Sequence, residues 1–321
     1  MHLSLLLACL SHYEPGVAWA PHHEPLPPAL VDVFQNQDLD AMMEEAVARS
    51  RSGDHEGAIQ RLVWLERQSP GDFAVLYQLG MAYEGAGRLE HAVSVYDRME
   101  EADTDQQWVL DWGFRRALCL EELGRFEEAI GEYRALPTPA AAEDAALLDL
   151  ALAVAEFRGD RGSAKAVRKS ISRAALQPDT EWMRAKAHVT LAEAYLVEAA
   201  DYTFDVGDRK QAKNLKARAH LILAAEDAIA HAVRLEQVEW ILKGLLALGD
   251  GYSLLAADLL QSRVPAKVDA ELYREALEKQ AQIILAKAYT AYDQGIVVAG
   301  KFAVTTPLTE QLAASRDALD I

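Results

Sequence analysis

Small residues recur along the first half of the chain with a period of about 34 residues. Four alanines at equivalent positions of the repeat are separated by 34, 37 and 35 residues, and a glycine stands five residues before each of them. Small side chains let two helices approach closely, and glycine suits the tight turn that joins them. The pattern therefore predicts consecutive antiparallel helix pairs. The alanines are Ala58, Ala92, Ala129 and Ala164, and the glycines are Gly53, Gly87, Gly124 and Gly159.

One copy of the pattern matches a known repeat at seven positions. These are Leu76, Leu79, Gly80, Tyr83, Gly87, Ala92 and Tyr96. In this spacing they resemble the tetratricopeptide repeat family, with Leu76 where that family often has tryptophan. The resemblance implies an all-α fold, a right-handed solenoid of antiparallel helix pairs. It also implies a role in binding other proteins rather than in catalysis.

The period lengthens after Pro178, where two first-helix signatures stand 57 residues apart. We read these as extended helical hairpins that continue the solenoid. The segment from Glu239 to Leu277 resembles the C-terminal region of bacterial envelope proteins of the same family. The signatures are Leu191-Ala192-x-x-Tyr195 and Leu248-Gly249-x-x-Tyr252. The expected organisation is a flexible tail over 1–30, four repeats over 38–178, hairpins over 179–300 and a capping helix over 301–321.

Charge narrows the choice of partner. The net charge is −18, and residues 1–160 contain 29 acidic residues against 11 arginines and no lysine. Such a surface repels phosphate backbones, so we expect no nucleic-acid partner.

The N-terminus offers two interpretations. Leu6-Leu7-Ala8-Cys9 resembles a bacterial lipobox and is followed by a proline-rich stretch suited to a tether, but no basic segment precedes it. The apolar run is also much shorter than the roughly 20 residues of a membrane span. One interpretation is a lipid anchor at Cys9 on the periplasmic side of the bacterial envelope, with the true start upstream of Met1. The other is a non-functional apolar tail on a cytoplasmic protein.

The sequence lacks the common catalytic and cofactor-binding motifs. There is no Walker-type loop, no His-Glu-x-x-His and no Gly-x-Ser-x-Gly. Two cysteines, Cys9 and Cys119, are too few for a cysteine-based zinc module, and the nine histidines are scattered. We therefore expect no enzyme activity, no metal and no cofactor.

The family resemblance implies a concave groove lined by the first helix of each repeat. No lysine stands at the groove positions and Arg115 is the one cation there, so acidic peptides are poor candidates. Apolar segments with some basic residues fit better. The alternative for any one residue is that it packs between helices. The groove positions are Tyr77, Gln78, Met81 and Glu84; Phe114, Arg115, Leu118 and Glu121; and Asp149, Ala153 and Glu156.

A second function remains open from sequence alone. The longer helices after residue 180 carry Trp182, Tyr195, Trp240 and Tyr252, which could line a pocket for a small apolar ligand. Their helical spacing is more typical of an inter-helix core.

Overall fold

A computed structural model describes residues 37–103, 107–266 and 268–319, together with residues 26, 30 and 33–35. The described residues form thirteen α-helices and no strand, which confirms the all-α prediction. The chain divides into two compact units, the first ending at Thr180 and the second beginning at Glu181.

The residues from Leu39 to Ala174 that the structure describes form eight helices of the first unit, each of which packs against the next in chain order. They are α1 (Leu39–Arg51), α2 (His55–Gln68), α3 (Phe73–Gly85), α4 (Leu89–Ala102), α5 (Val109–Glu122), α6 (Phe126–Ala135), α7 (Ala142–Arg158) and α8 (Ala164–Ala174).

Several of these helices begin at an aspartate. Asp38 accepts a hydrogen bond from the backbone N–H of Ala41 at 3.0 Å. Asp54 and Asp72 do the same for the N–H groups three residues further on, at 3.0 and 3.1 Å. Each carboxylate satisfies a backbone donor that the helix itself leaves unpaired, which fixes the start of α1, α2 and α3.

The turns inside the first three helix pairs share one geometry. Gly53, Gly87 and Gly124 have φ angles of 87°, 70° and 75°, the left-handed region that glycine enters without steric cost. In the fourth turn the left-handed residue is Asp160, at φ 58°, while Gly159 has an ordinary φ of −85°. The predicted role of Gly159 is therefore wrong by one position. A longer turn separates α7 from α8, and it moves the reversal of the backbone to the next residue.

One hydrogen bond recurs in all four turns. A backbone N–H after the left-handed residue donates to the carbonyl five residues earlier, at 2.8–2.9 Å. This bond is the signature of the Schellman motif, which closes the C-terminus of a helix. The donor and acceptor pairs are Asp54 and Arg49, Arg88 and Tyr83, Arg125 and Leu120, and Arg161 and Glu156.

Gly53 tests the conformational reading of these turns, because a Cβ added there meets nothing within 4 Å. Gly53→Ala is expected to lower the free energy of unfolding by about 1–2 kcal/mol through the left-handed backbone alone. Gly53→Asn should cost less, since asparagine tolerates this region better. Urea denaturation of the two variants measures the difference. Equal losses would contradict the conformational explanation.

The repeated alanines pack the paired helices together. Ala58, Ala92 and Ala129 are fully buried. Ala164 is half-buried at the first position of α8, and Val167 is the fully buried residue one turn later. Three of the four alanines therefore occupy the close contact that the pattern predicts.

Ion pairs connect neighbouring helix pairs at a regular interval. In each case the arginine lies shortly before the second helix of one pair. It contacts the glutamate at position two of the second helix in the preceding pair. These side chains are substantially exposed, so each pair contributes at most about 1 kcal/mol. Their regular spacing shows that successive helix pairs are stacked in one register. The pairs are Arg88 with Glu56 at 2.8 Å, Arg125 with Glu90 at 3.1 Å, and Arg161 with Glu127.

The described residues of the second unit form five helices around a core centred on α11. Gly249 on α11 faces the ring of Tyr292 so closely that a Cβ would overlap it. The Tyr292 hydroxyl donates to Asp250 at 2.7 Å, and burial raises the pKa of Tyr292 to about 12. The helices are α9 (Glu181–Ala200), α10 (Asp208–Val233), α11 (Val238–Leu260), α12 (Ala270–Lys301) and α13 (Pro307–Asp317).

Candidate functional site

The residues predicted to line a groove divide into an accessible and a buried set. Tyr77, Gln78, Met81 and Glu156 are half-buried and Asp149 is exposed. The remaining predicted groove residues are buried: Glu84, Phe114, Arg115, Leu118, Glu121 and Ala153. The alternative of packing between helices therefore holds for six of these eleven positions.

Glu84 is held inside the first unit by side chains of neighbouring helices. Arg115 donates to its carboxylate at 2.7 Å, and the hydroxyl of Tyr96 donates to the other carboxylate oxygen. Both charged side chains are at most 3% exposed. Burial raises the pKa of Glu84, while Arg115 and Tyr96 act in the opposite direction. This ion pair joins α3 to α5, and its atoms are not presented to a partner.

The same arrangement recurs 37 residues later. Arg158 donates to Glu121 at 2.9 Å, and the hydroxyl of Tyr133 lies 3.5 Å from the second oxygen. Glu121 is fully buried, and burial raises the pKa of Tyr133 well above its usual value. A glutamate in the last turn of the first helix and a tyrosine twelve residues later are thus a structural pair in two consecutive repeats.

The accessible carboxylates of the predicted groove also have arginine partners. Arg134 reaches Glu156 at 2.6 Å and Arg173 reaches Asp149 at 3.4 Å. The acidity of this face is therefore lower than the count of carboxylates suggests.

Sequence reasoning missed an aromatic cluster, formed by Phe73, Tyr77 and Trp108. The ring centroids of Phe73 and Tyr77 are 6.3 Å apart and stacked, and those of Phe73 and Trp108 are also 6.3 Å apart. All three side chains are half-buried. Phe73 and Trp108 stand 35 residues apart at the starts of α3 and α5, so the repeat period could have identified them.

Asp111 lies in the first turn of α5, three residues after Trp108. Its backbone N–H donates to the carbonyl of Trp108 at 2.9 Å. Burial raises the pKa of Tyr77, and the charges of Asp111 and Glu84 add to that increase. Like the three aromatic side chains, Asp111 is half-buried.

The aromatic residues proposed for a ligand pocket in the second unit are mostly core. Trp182 and Trp240 are buried and meet edge to face, with centroids 5.7 Å apart. Tyr252 is also buried, whereas Tyr195 is half-buried. Lys186 is fully buried beside the two tryptophans, with its ammonium 5.7 and 5.9 Å from their ring centroids. These rings therefore pack against each other and against a buried lysine, as in an inter-helix core.

A shallow cavity of about 360 Å³ lies elsewhere in the second unit, and Tyr252 is the only one of the four predicted residues that lines it. Ile283, Ala286 and Leu248 supply apolar walls. Lys287 bonds to Glu226 at 3.1 Å and to the hydroxyl of Tyr252 at 3.2 Å. The charged groups of this cavity are thus paired with each other.

No cluster of three or more histidine, cysteine, aspartate or glutamate side chains suited to a metal ion occurs within the described ranges. Two histidines that are distant in sequence do meet: His188 and His231 stack with centroids 5.1 Å apart. Burial is the main reason that the pKa of His188 falls to about 4, and the neighbouring His231 lowers it further.

The proposed lipid site, Cys9, lies outside the described residues. Cys119 is buried and forms no disulfide with another described residue. In the part of the chain that the structure describes, no helix has both the length and the apolar character needed to cross a membrane.

No model of a known protein family matches the chain, and a search of curated proteins found no similar sequence.

Proposed function

We propose that this chain is a non-catalytic scaffold or adaptor whose first unit is a tetratricopeptide-type right-handed solenoid. The observation that carries the proposal is periodicity at three levels: one turn hydrogen bond, one left-handed turn residue and one inter-pair salt bridge recur at intervals close to the sequence period. Stacked helix pairs of this kind contact only their neighbours, which leaves a long face open to another polypeptide.

The partner is a protein segment with apolar anchors and some basic residues. Tyr77 and Met81 offer half-buried apolar surface on α3, and Gln78 offers hydrogen bonds beside them. Aromatic and methionine side chains of this kind supply much of the contact energy in protein interfaces. The negative charge of the first unit favours approach of a basic segment.

The proposed location is the periplasmic side of a bacterial envelope, in a multi-protein assembly. This rests on the likeness of the segment from Glu239 to Leu277 to envelope proteins and on the lipobox-like sequence at Cys9. Intact mass measurement of the protein purified from its native membrane fraction tests the anchor, because a lipidated cysteine adds the mass of its acyl chains.

Site-specific photo-crosslinking tests the groove. A photoreactive phenylalanine at position 77 should crosslink to a discrete partner in native extract, because Tyr77 lies on the accessible face of α3. The control position is Ser94, which is exposed on the second helix α4 and should give no such product.

Binding of the identified partner to purified variants completes this test. Tyr77→Ala combined with Met81→Ala is expected to weaken binding at least about tenfold, since each side chain removed is a candidate hot spot. The proposal fails if the same product forms from position 94, or if the double variant binds normally.

A further inference from the structure

Helix α10 carries a group of positive charges that the scaffold function does not use. Residues 209–223 contain four exposed cations and no aspartate or glutamate, on a chain whose net charge is −18. Asp208 precedes this stretch, and the next carboxylate along the helix is Glu226. We call the exposed side of residues 209–223 the basic face. Its cations are Arg209, Lys210, Lys213 and Lys216.

The cations of the basic face are not neutralised by neighbouring side chains. Elsewhere in the second unit, Lys243, Lys279 and Lys287 each contact a glutamate at 2.6–3.1 Å. Over the described ranges of the chain, the four cations of the basic face form no such ion pair. Like charges three or four residues apart on a helix repel each other, and an anionic partner relieves this repulsion.

The opposite side of α10 is fixed to the second unit. Arg218 is buried and donates to Asp258 at 2.6 Å, and its guanidinium carbon lies 5.3 Å from the ring centroid of Phe204. Asn214 donates to the backbone carbonyl of Thr203 at 2.7 Å. These contacts hold the helix in one orientation, so the basic face points away from the core of the second unit.

Two exposed leucines accompany the cations. Leu215 is 43% exposed and Leu223 is 57% exposed. Lys213 and Leu223 follow Arg209 by 4 and 14 residues, a spacing that places them on one side of a helix. A face that combines basic and apolar residues in this way is typical of helices that lie on a membrane surface.

The composition of the basic face favours a lipid surface over an acidic protein or a nucleic acid. Protein interfaces are enriched in aromatic residues and depleted in lysine, and proteins that bind single-stranded nucleic acid stack bases on aromatic rings. Residues 209–223 contain three lysines and no phenylalanine, tyrosine or tryptophan. A lysine suits a membrane surface because its apolar stem lies along the lipid while its ammonium stays among the headgroups.

We propose that the basic face of α10 is a docking surface for an anionic lipid membrane. Its cations contact the lipid phosphates, and Leu215 and Leu223 enter the headgroup region. This inference goes beyond the scaffold function and is independent of an anchor at Cys9, since it requires neither a bound protein segment nor a covalent lipid.

Co-sedimentation with lipid vesicles tests the docking surface, using the full chain with Cys9→Ser so that no acyl chain contributes. The protein should sediment with vesicles of phosphatidylcholine that contain about one-third phosphatidylglycerol, and not with vesicles of phosphatidylcholine alone. Binding to the anionic vesicles should fall at least about tenfold between low salt and about 0.5 M NaCl, because salt screens exposed charges.

Neutralising two of the cations measures their contribution. Lys213→Gln combined with Lys216→Gln should weaken binding to the anionic vesicles about 25-fold, since each lysine near such a surface contributes about fivefold. The matched control is Arg234→Gln combined with Lys301→Gln, which makes the same change in net charge at two exposed positions. Arg234 lies about 27 Å beyond Lys216 along the helix axis, and this control should bind normally.

A third variant distinguishes a membrane from a purely ionic partner. Leu215→Ala combined with Leu223→Ala should weaken binding to the anionic vesicles about tenfold, because less apolar surface is buried. Normal binding by this variant would indicate a purely ionic contact, such as one with an acidic protein, and would overturn the inference. It is also overturned if neutral vesicles sediment the protein equally well, or if the double lysine variant binds normally.

Discussion

Arg115→Met is expected to lower the free energy of unfolding by about 3–5 kcal/mol, the usual cost of leaving one partner of a buried ion pair without the other. The substitution retains much of the side-chain volume and removes the charge, so Glu84 would keep its burial and lose its strongest donor. Urea denaturation followed by circular dichroism measures the loss.

Arg125→Met is the matched control for this prediction. Arg125 pairs with Glu90 and Glu128, but all three side chains are more than one-third exposed, so the expected change is below about 1 kcal/mol. Glu84→Gln in the Arg115→Met background should recover part of the stability, because it removes the stranded charge. A loss below 1 kcal/mol for Arg115→Met would show that the buried pair does not hold α3 and α5 together.

Gly80→Val is the second substitution with a large expected effect, a loss of about 3 kcal/mol in the free energy of unfolding. A Cβ at Gly80 would lie 2.6 Å from the ring of Tyr96, a fully buried side chain whose hydroxyl is bound to Glu84. The ring cannot move without disturbing that hydrogen bond, so the overlap must be relieved by separating α3 from α4.

Gly131→Val controls for the change of residue type. Gly131 is exposed within α6, and a Cβ there meets nothing within 4 Å. Helix propensities of glycine and valine differ little, so stability should change by less than about 0.5 kcal/mol. Similar losses at positions 80 and 131 would contradict the steric explanation, and thermal unfolding of both variants decides the matter.

The turns inside the helix pairs were predictable because the residues that determine them lie close together in sequence. Gly53, Gly87 and Gly124 were identified as turn residues from their distance to an alanine, and the structure gives all three a left-handed backbone. The fourth turn was misassigned by one residue because the connection to α8 is longer, and sequence spacing does not reveal where added residues fold back.

The candidate site was harder to predict because the residues that form its ion pairs are distant in sequence. Glu84 and Glu121 looked like groove carboxylates, since charged residues are rarely buried without partners. Their arginine partners lie 31 and 37 residues further on, and the sequence does not show which arginine of the next helix pair returns to them.

The turns inside the first three helix pairs have the same length, and this affects where the chain can gain residues. Three residues separate the helices within each of the first three pairs, whereas four to six residues separate one pair from the next. The residues that lengthen the repeat period therefore lie in the connections between helix pairs, at the helix ends opposite the turns. An insertion there lengthens one border of the first unit and leaves the register of the helix pairs, the buried glutamates and the proposed binding face in place.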